Sequence, residues 1–565
     1  MYVRVVGNEQ GRRYLQIVRS YRDAGKVKCE VLFTFGRLDV LQATGQLDSI
    51  VEALARHCTR QKFIDLSKDV SVDQVYHLGA AYVVSRMMDK LGLKRLLERL
   101  AAKHPTMELP WVAIITGMIL SRFIEPCSKR RLNQDQWERI YPGILETPAP
   151  PLKSFYRAMD TLWEHKDDIE MALFDKSGQR DLFNQDLDLV FYDLTTLYFE
   201  SANAQDGDLR RFGYSKEHRS DCTQVVLGLL VDKDGVPVGY QLFPGNTGEA
   251  TTLAPIVVKL KTKYHIQNVV MVADRGLISE KNVEELRQSG MGYILGKRLW
   301  TMSEAEQAVV LDKSKYRALD DKGEVLIREV LTPEGDRLIL TWSKTRAERD
   351  AKLRNAVLDR IRTQIKKTTT AKRFVTHKGY RQYLKGLDGG SPKLDLQAIA
   401  QSEKRDGFFG VLTGVSPELL KAEEVFDRYR DLWRVEDAFG EIKGPLETRP
   451  MFHWVDRRIQ SHVLLCLLAY YVEAVITRDL RKAKASFTTG EFFRALNHVY
   501  AIPVDVRGSR AWVRSEVRGI PQDGCTLLHL KIPERVLKIE KRDSDESVVT
   551  RILGDIPKPA EAQSF

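Results

Sequence analysis

At 565 residues the chain exceeds the roughly 100–200 residues of a typical domain, which excludes a single small module. Charged residues at 29% and hydrophobic residues at 43% are ordinary for a globular protein and exclude wholesale disorder. Lysine and arginine (88) outnumber aspartate and glutamate (77), and the net +11 raises the local concentration of polyanions such as nucleic acid without bearing on the fold.

The chain opens on a small β element, residues 1–60, in which YLQIVRSYRDAGKVKCEVLFTF alternates apolar and polar residues about a turn at Asp23, Ala24 and Gly25. From 61 to 182 the spacing becomes helical, as in LGAAYVVSRMMDKLGLKRLLERL and PWVAIITGMILSRFI, with proline-rich breaks such as PGILETPAPP. Six cysteines lie far apart with no C-x-x-C pair, so neither a zinc site nor a disulfide framework is expected and a reducing cytoplasm fits. The first residues contain no apolar signal core, and the longest apolar run, 463–472, is too short for a bilayer, so no membrane partner is expected.

From 183 the order of elements carries functional content. LDLVFYD is a strand ending at Asp193, TQVVLGLLVDKDGVPVGYQLF a hairpin about Asp234 and Gly235, TTLAPIVVKLKTKY a helix, and NVVMVAD a buried strand ending at Asp274. Strand, hairpin, helix, strand matches the opening of a ribonuclease-H-like α/β sheet, with a carboxylate at the end of its first and fourth strands. The core runs over 183–300 and resumes over 406–480. Residues 301–405 read as an insertion with one hairpin and a basic helical stretch, 346–373, of net charge +7 whose Leu353, Val357, Ile361 and Ile365 share a face. A mixed C-terminal region, 481–565, closes the chain.

Within 422–443, read as one helix, Tyr429, Glu436 and Lys443 recur every seven residues, two helical turns, and so form a stripe beside the apolar Phe426, Leu432 and Phe439. A carboxylate held against apolar packing needs a cation. With Asp193 and Asp274 the stripe predicts an oxygen-rich site for divalent metal, of the kind Mg²⁺ occupies beside phosphate. Two such ions would serve an in-line phosphoryl displacement without a side-chain nucleophile. Arg210, Arg211, Lys216, His218 and Arg219, interleaved with Phe212 and Tyr214, form a basic loop suited to a DNA backbone. In the insertion Arg362, Lys366 and Lys367 are candidate phosphate contacts, while His453 and His462 read as packing or capping residues.

FYDLTTLYFES, FGYSKEHRSDCTQVVLGLLVDKDGVPVGYQLFPGNTGEATTL, VADRGLIS and YRDLWRVEDAFGEIKGPLETRPMFHW resemble, in order, the bacterial DDE transposases of the insertion sequence 4 superfamily, closest to its branch with long N-terminal regions. The resemblance implies that Asp193, Asp274 and Glu436 are the catalytic, metal-binding triad. It further implies that Tyr429 and Lys443 belong to a Tyr/Arg/Glu/Lys signature, whose arginine position is Leu432 here, with Arg430 or Arg434 the nearby candidates and Arg275 a further DNA contact. It implies two Mg²⁺ ions, with Mn²⁺ as a substitute, and DNA partners: terminal inverted repeats and target. A homodimeric synaptic complex is also implied, with end binding assigned to 61–182 and dimerisation to 481–565. Rival readings are a catalytically silent DNA-binding relative and a stand-alone metal-dependent nuclease that cuts without joining.

Overall fold

The computed structural model describes residues 1–23, 26–55, 57, 70–72, 74–176, 188–200, 208–217, 219, 221–264, 269–277, 279–367, 378–385, 392–449, 451–506 and 509–540. Two compact units result, one from residues 1–76, 499–516 and 532–565, the other from 77–498 and 517–531.

In the first unit, strands Tyr2–Gly7, Arg13–Asp23 and Lys26–Arg37 form an antiparallel sheet. Asp23 pairs with Lys26, so the hairpin closes where the alternation predicts; Ala24 and Gly25 lie outside the described residues. Strand Tyr500–Val506 pairs with Ser509–Arg514 and also with Val70–Ser71, placing segments from both ends of the chain in one sheet.

The second unit begins with helices Gly79–Lys90, Leu93–Ala101, Trp111–Ile124 and Leu152–Glu164. Leu93, Leu96, Leu97 and Leu100 are all buried, at the one-sided spacing read from the sequence. A mixed nine-stranded sheet follows. Its strands are β1 (Asp188–Tyr198), β2 (Gln224–Val231), β3 (Pro237–Pro244), β4 (Val269–Ala273), β5 (Gly292–Lys297), β6 (Arg317–Ala318), β7 (Val325–Leu331), β8 (Arg337–Ser343) and β9 (Phe408–Thr413). The spatial order is β6-β7-β8-β9-β5-β4-β1-β2-β3.

Strands β1, β4 and β5 run parallel. Helices cover both faces of such strands, which explains their unbroken apolar sequences. The β2–β3 hairpin turns at Gly235, whose φ of 83° favours glycine, and the Asp232 carboxylate accepts the N–H groups of Asp234 and Val236. The insertion hairpin, β7 and β8, builds no sheet of its own: β8 pairs antiparallel with β9, which pairs with β5, so the core sheet continues into it.

Helices α1 (Leu253–Tyr264) and α2 (Glu280–Ser289) pack their apolar residues with Val190, Tyr192 and Leu194 of β1. The intervening Asp193 must face the opposite side, because strand side chains alternate. Helix α3 (Lys344–Lys367) buries Leu358 and Ile361, with Val357 and Ile365 partly buried, whereas Leu353 is 59% exposed. The inward position at that turn is held by Arg354, which donates to Asp406, so 354, 358, 361 and 365 form the seam.

The predicted helix 422–443 is two helices, α4 (Ala422–Arg430) and α5 (Trp433–Lys443). At the junction the N–H groups of Leu432, Arg434 and Val435 bond to carbonyls three residues back, which tightens the turn between Tyr429 and Glu436. Helix α6 (Asp456–Lys482) is long and apolar enough to cross a bilayer, yet its apolar stretch is 94% buried, against the helices Trp111–Ile124 and Leu152–Glu164 and strand β3.

Candidate active site

Asp193 lies within β1 and Asp274 immediately follows β4. Tyr192 and Ala273 are register partners in the parallel pair, so the two aspartates continue that register on neighbouring strands, about 4.8 Å apart in backbone spacing. The Asp193 carboxylate accepts its neighbour's Leu194 N–H at 2.7 Å. Burial raises its pKa to about 6, the Lys216 ammonium and the Leu194 N–H oppose the shift, and the charges of Asp274 and Glu436 add to it. The three predicted carboxylates therefore share one electrostatic environment. Glu436 stands exposed in the first turn of α5, which packs on β1.

The Tyr429 hydroxyl donates to Asp274 Oδ1 at 3.0 Å. Burial and the Asp274 charge hold the phenol protonated well above its ordinary range, so it remains a donor throughout the working pH range. Its ring crosses β5 at Gly296, where a Cβ would fall 2.3 Å from the hydroxyl oxygen, and stacks 5.2 Å from Phe409. Lys443 donates to Glu217 Oε1 at 2.6 Å, and Arg449 pairs with the same carboxylate. Burial and the nearby Lys216 push Lys443 down to about 8, against the pull of Asp193. Lys216 donates to the Leu194 carbonyl at 2.8 Å and pairs with Glu249 at 3.1 Å.

The remaining predicted contacts divide. Arg275 is exposed in the turn after Asp274. Arg219 pairs with Asp221 at 3.0 Å, with its guanidinium over the Tyr198 ring at 4.8 Å. Arg210 faces rings rather than solvent: it is 1% exposed, clamped between Phe199 at 4.5 Å and Trp454 at 4.4 Å. Arg211 is half-buried and donates to the Arg210 carbonyl. Arg434 is engaged with its own helix, pairing with Asp431 at 3.0 Å beside the Trp433 ring. Arg362 is exposed and pairs with Asp359 at 2.8 Å; Lys366 and Lys367 end α3, with side chains outside the described residues, as is His218.

Three residues escaped sequence reading. Glu217 and Arg449 tie Lys443 into a charged seam, and both sit in motifs quoted above without standing out from their neighbours. Arg346, in the first turn of α3, stacks its guanidinium 4.4 Å over Phe409, and its buried Nε lacks a hydrogen-bond partner. Burial disfavours its charged form, Asp350 favours it, and Arg349 and Arg275 oppose it. The positive run at 346–373 signalled a basic helix, but nothing in it distinguished this arginine from its neighbours.

Three carboxylates supply the hard oxygen donors a divalent cation takes, and Asp193, whose ionised form is disfavoured, is chemically suited to one. Among the described residues no three His, Cys, Asp or Glu side chains stand close enough to hold a metal ion as they are. The donor chemistry fits and the arrangement is open.

The sheet thus presents two aspartates on adjacent strands, and a glutamate-bearing helix packs on it. Residues 185–472 match the transposase DDE domain model, half of the sequence, and the chain belongs to that family. Residues 3–68 match the N-terminal domain of IS1634 family transposases. No curated protein matches. Among solved structures, the Mos1 transposase in a paired-end complex with the left transposon end aligns at 13% identity and a TM-score of 0.14, over 32% of this chain and 57% of that one. The chain thus spans little more than half the length of that structure's chain, too slight a likeness to inform the fold.

Proposed function

We propose that the protein is the transposase of a bacterial insertion sequence, of the insertion sequence 4 superfamily and with a ribonuclease-H-like core, acting in the cytoplasm. It binds the element's terminal inverted repeats as a homodimer, cuts there, and joins the released ends to target DNA. Asp193, Asp274 and Glu436 hold divalent metal, with Mg²⁺ the natural ion and Mn²⁺ a substitute. When bound, the ions supply positive charge where a phosphodiester's oxygens gain negative charge.

The rest of the work falls to the chain's own groups. Asp193 is ionised above its pKa of about 6 and so able to serve as a donor at neutral pH. Tyr429, by donating to Asp274, keeps that carboxylate in one orientation. Lys443 positions a phosphate beside the cut, and Arg275 and Arg346 flank the Asp274 side of the site. In cleavage a water oxygen attacks phosphorus and a 3′-oxygen leaves as a hydroxyl; in joining that hydroxyl attacks a target phosphodiester and a target 3′-oxygen leaves.

What carries this reading is the pairing of Asp193 and Asp274 on adjacent strands, coupled electrostatically to Glu436. The test uses purified protein, Mg²⁺ and a duplex ending in the element's own terminal repeat. Asp193→Asn, Asp274→Asn and Glu436→Gln should each abolish nicking while end binding persists, because phosphate contacts supply most of the affinity. Nicking by any of them at the parental rate refutes the triad, and cutting without joining by the parent protein identifies a nuclease instead.

A further inference from the structure

A second polar recess in the same unit, of about 170 Å³, is not used by the triad. Arg122, Lys129, Arg449 and His453 line it, with the exposed carboxylate-bearing Glu447, the ring of Tyr156 and, at 67% exposure, that of Phe452. The volume is well below the roughly 300–1,000 Å³ of sites for drug-sized molecules, so it suits a small ionic group.

Lys129 is 6% exposed, and its ammonium donates to Nδ1 of His462 at 2.7 Å. The direction of that bond follows from the far side of the ring: His462 Nε2 lies 3.0 Å from the Thr448 carbonyl, which can only accept, so Nε2 carries the proton and Nδ1 the lone pair. The imidazole is thus neutral, and burial beside Lys129 holds its pKa far below the ordinary value. One of the three ammonium N–H donors is used, and no carboxylate pairs with Lys129 among the described residues. Arg122 adds a second cation, held by the Leu446, Glu447 and Cys127 carbonyls, which fix its place without neutralising it. Burial and Arg122 push Lys129 down to about 7, as expected of an ammonium lacking an anion. A buried cation without an anion is destabilising. Arg449, at the recess wall, pairs with Glu217, the carboxylate that also holds Lys443.

We propose that this recess binds a phosphate oxyanion, with Lys129 as its buried donor and Arg122 and Arg449 as flanking charges. The oxyanion comes from a DNA backbone or from free phosphate. Only the first source rests on the transposase reading.

The test titrates inorganic phosphate into the full-length protein at constant ionic strength, with chloride as control, so it needs neither metal nor a specific DNA end. Lys129→Met should weaken phosphate binding at least about ten-fold, the effect of one charge-assisted hydrogen bond. With a duplex of arbitrary sequence, the slope of log affinity against log salt should shrink by about one in Lys129→Met if the backbone is the source, and stay unchanged if free phosphate is. Should Lys129→Met fail to fold, Arg449→Gln at the half-buried wall must weaken phosphate binding several-fold. A parent that binds no phosphate, or a folded Lys129→Met protein that binds it equally well, overturns the site whether or not the protein cuts DNA.

Discussion

Replacing Asp193 with asparagine removes an anion that the fold holds against its preference. Burial, reinforced by Asp274 and Glu436, lifts its carboxyl from 3.8 to about 6. Two units correspond to roughly 3 kcal/mol at 1.36 kcal/mol per unit. Below about pH 4 the group is protonated in both the folded and unfolded chain, and the penalty is absent. Between pH 4 and 6 the unfolded chain releases a proton that the folded chain keeps, so the penalty grows; above pH 6 it is fully present. The substituted amide is neutral at every pH and can still accept the Leu194 N–H. The Asp193→Asn protein should therefore match its parent near pH 4 and exceed it by up to about 3 kcal/mol at pH 8 without metal. For a cooperative unit of roughly 440 residues, at about 2.1 cal/mol/K each, that is a melting shift of about 3 °C. Scanning calorimetry in EDTA and in Mg²⁺ checks both halves of the reasoning. A bound divalent ion relieves the same penalty, so Mg²⁺ should raise the parental melting temperature at pH 8 and have little effect on the variant. A variant that melts at or below its parent in EDTA at pH 8, or equal stabilisation of both proteins by Mg²⁺, would refute it.

Tyr429→Phe removes the donor that orients Asp274 and should slow end cleavage by about 10²-fold in single-turnover assays, with Mg²⁺ binding by calorimetry little changed; parental cleavage would return the ring to a packing role. At sub-saturating Mg²⁺ the cleavage rate should rise through about pH 6, as Asp193 ionises and becomes able to take the metal, and fall above about pH 8 as Lys443 loses its proton. Lys443→Arg, charged throughout, should remove the upper limb, and a parental profile flat to pH 10 would exclude Lys443. Arg210→Ala should destabilise the fold by about 2–4 kcal/mol through loss of two desolvated ring contacts, while the salt slope of DNA binding stays unchanged. Exchanging Arg362, Lys366 and Lys367 together for alanine should lower that slope by up to about three, and an unchanged slope makes the end of α3 a solvated face.

Strand identity was legible because β1 and β4 are apolar runs, a local pattern that burial on both faces imposes. The strand bound was not, since β1 continues past Asp193 to Tyr198 by pairing with β2 and so holds that carboxylate in mid-strand, while Asp274 does follow the end of β4. The hairpin turn at Gly235 was legible for a similar reason, since a positive φ selects glycine. The helical stripe was only half legible. Seven-residue spacing predicts one unbroken helix; the chain instead tightens at 431–435 into two, and Tyr429, Glu436 and Lys443 still act on Asp274 or Asp193. Leu353 was misassigned because apolar character alone does not choose a face; a buried Arg354–Asp406 pair decided the inward position.

By itself, then, the amino-acid sequence determined the order of elements and most of the apolar faces, both consequences of periodicity and neighbouring residues. Tertiary structure decided what each charge does. Arg210, Arg346 and Lys129 are equally basic in sequence, but one is clamped between rings, one stacks over Phe409, and one is buried against a neutral histidine. A charge's energy depends on its desolvation and on partners hundreds of residues away, and those distances exist only once the chain has folded.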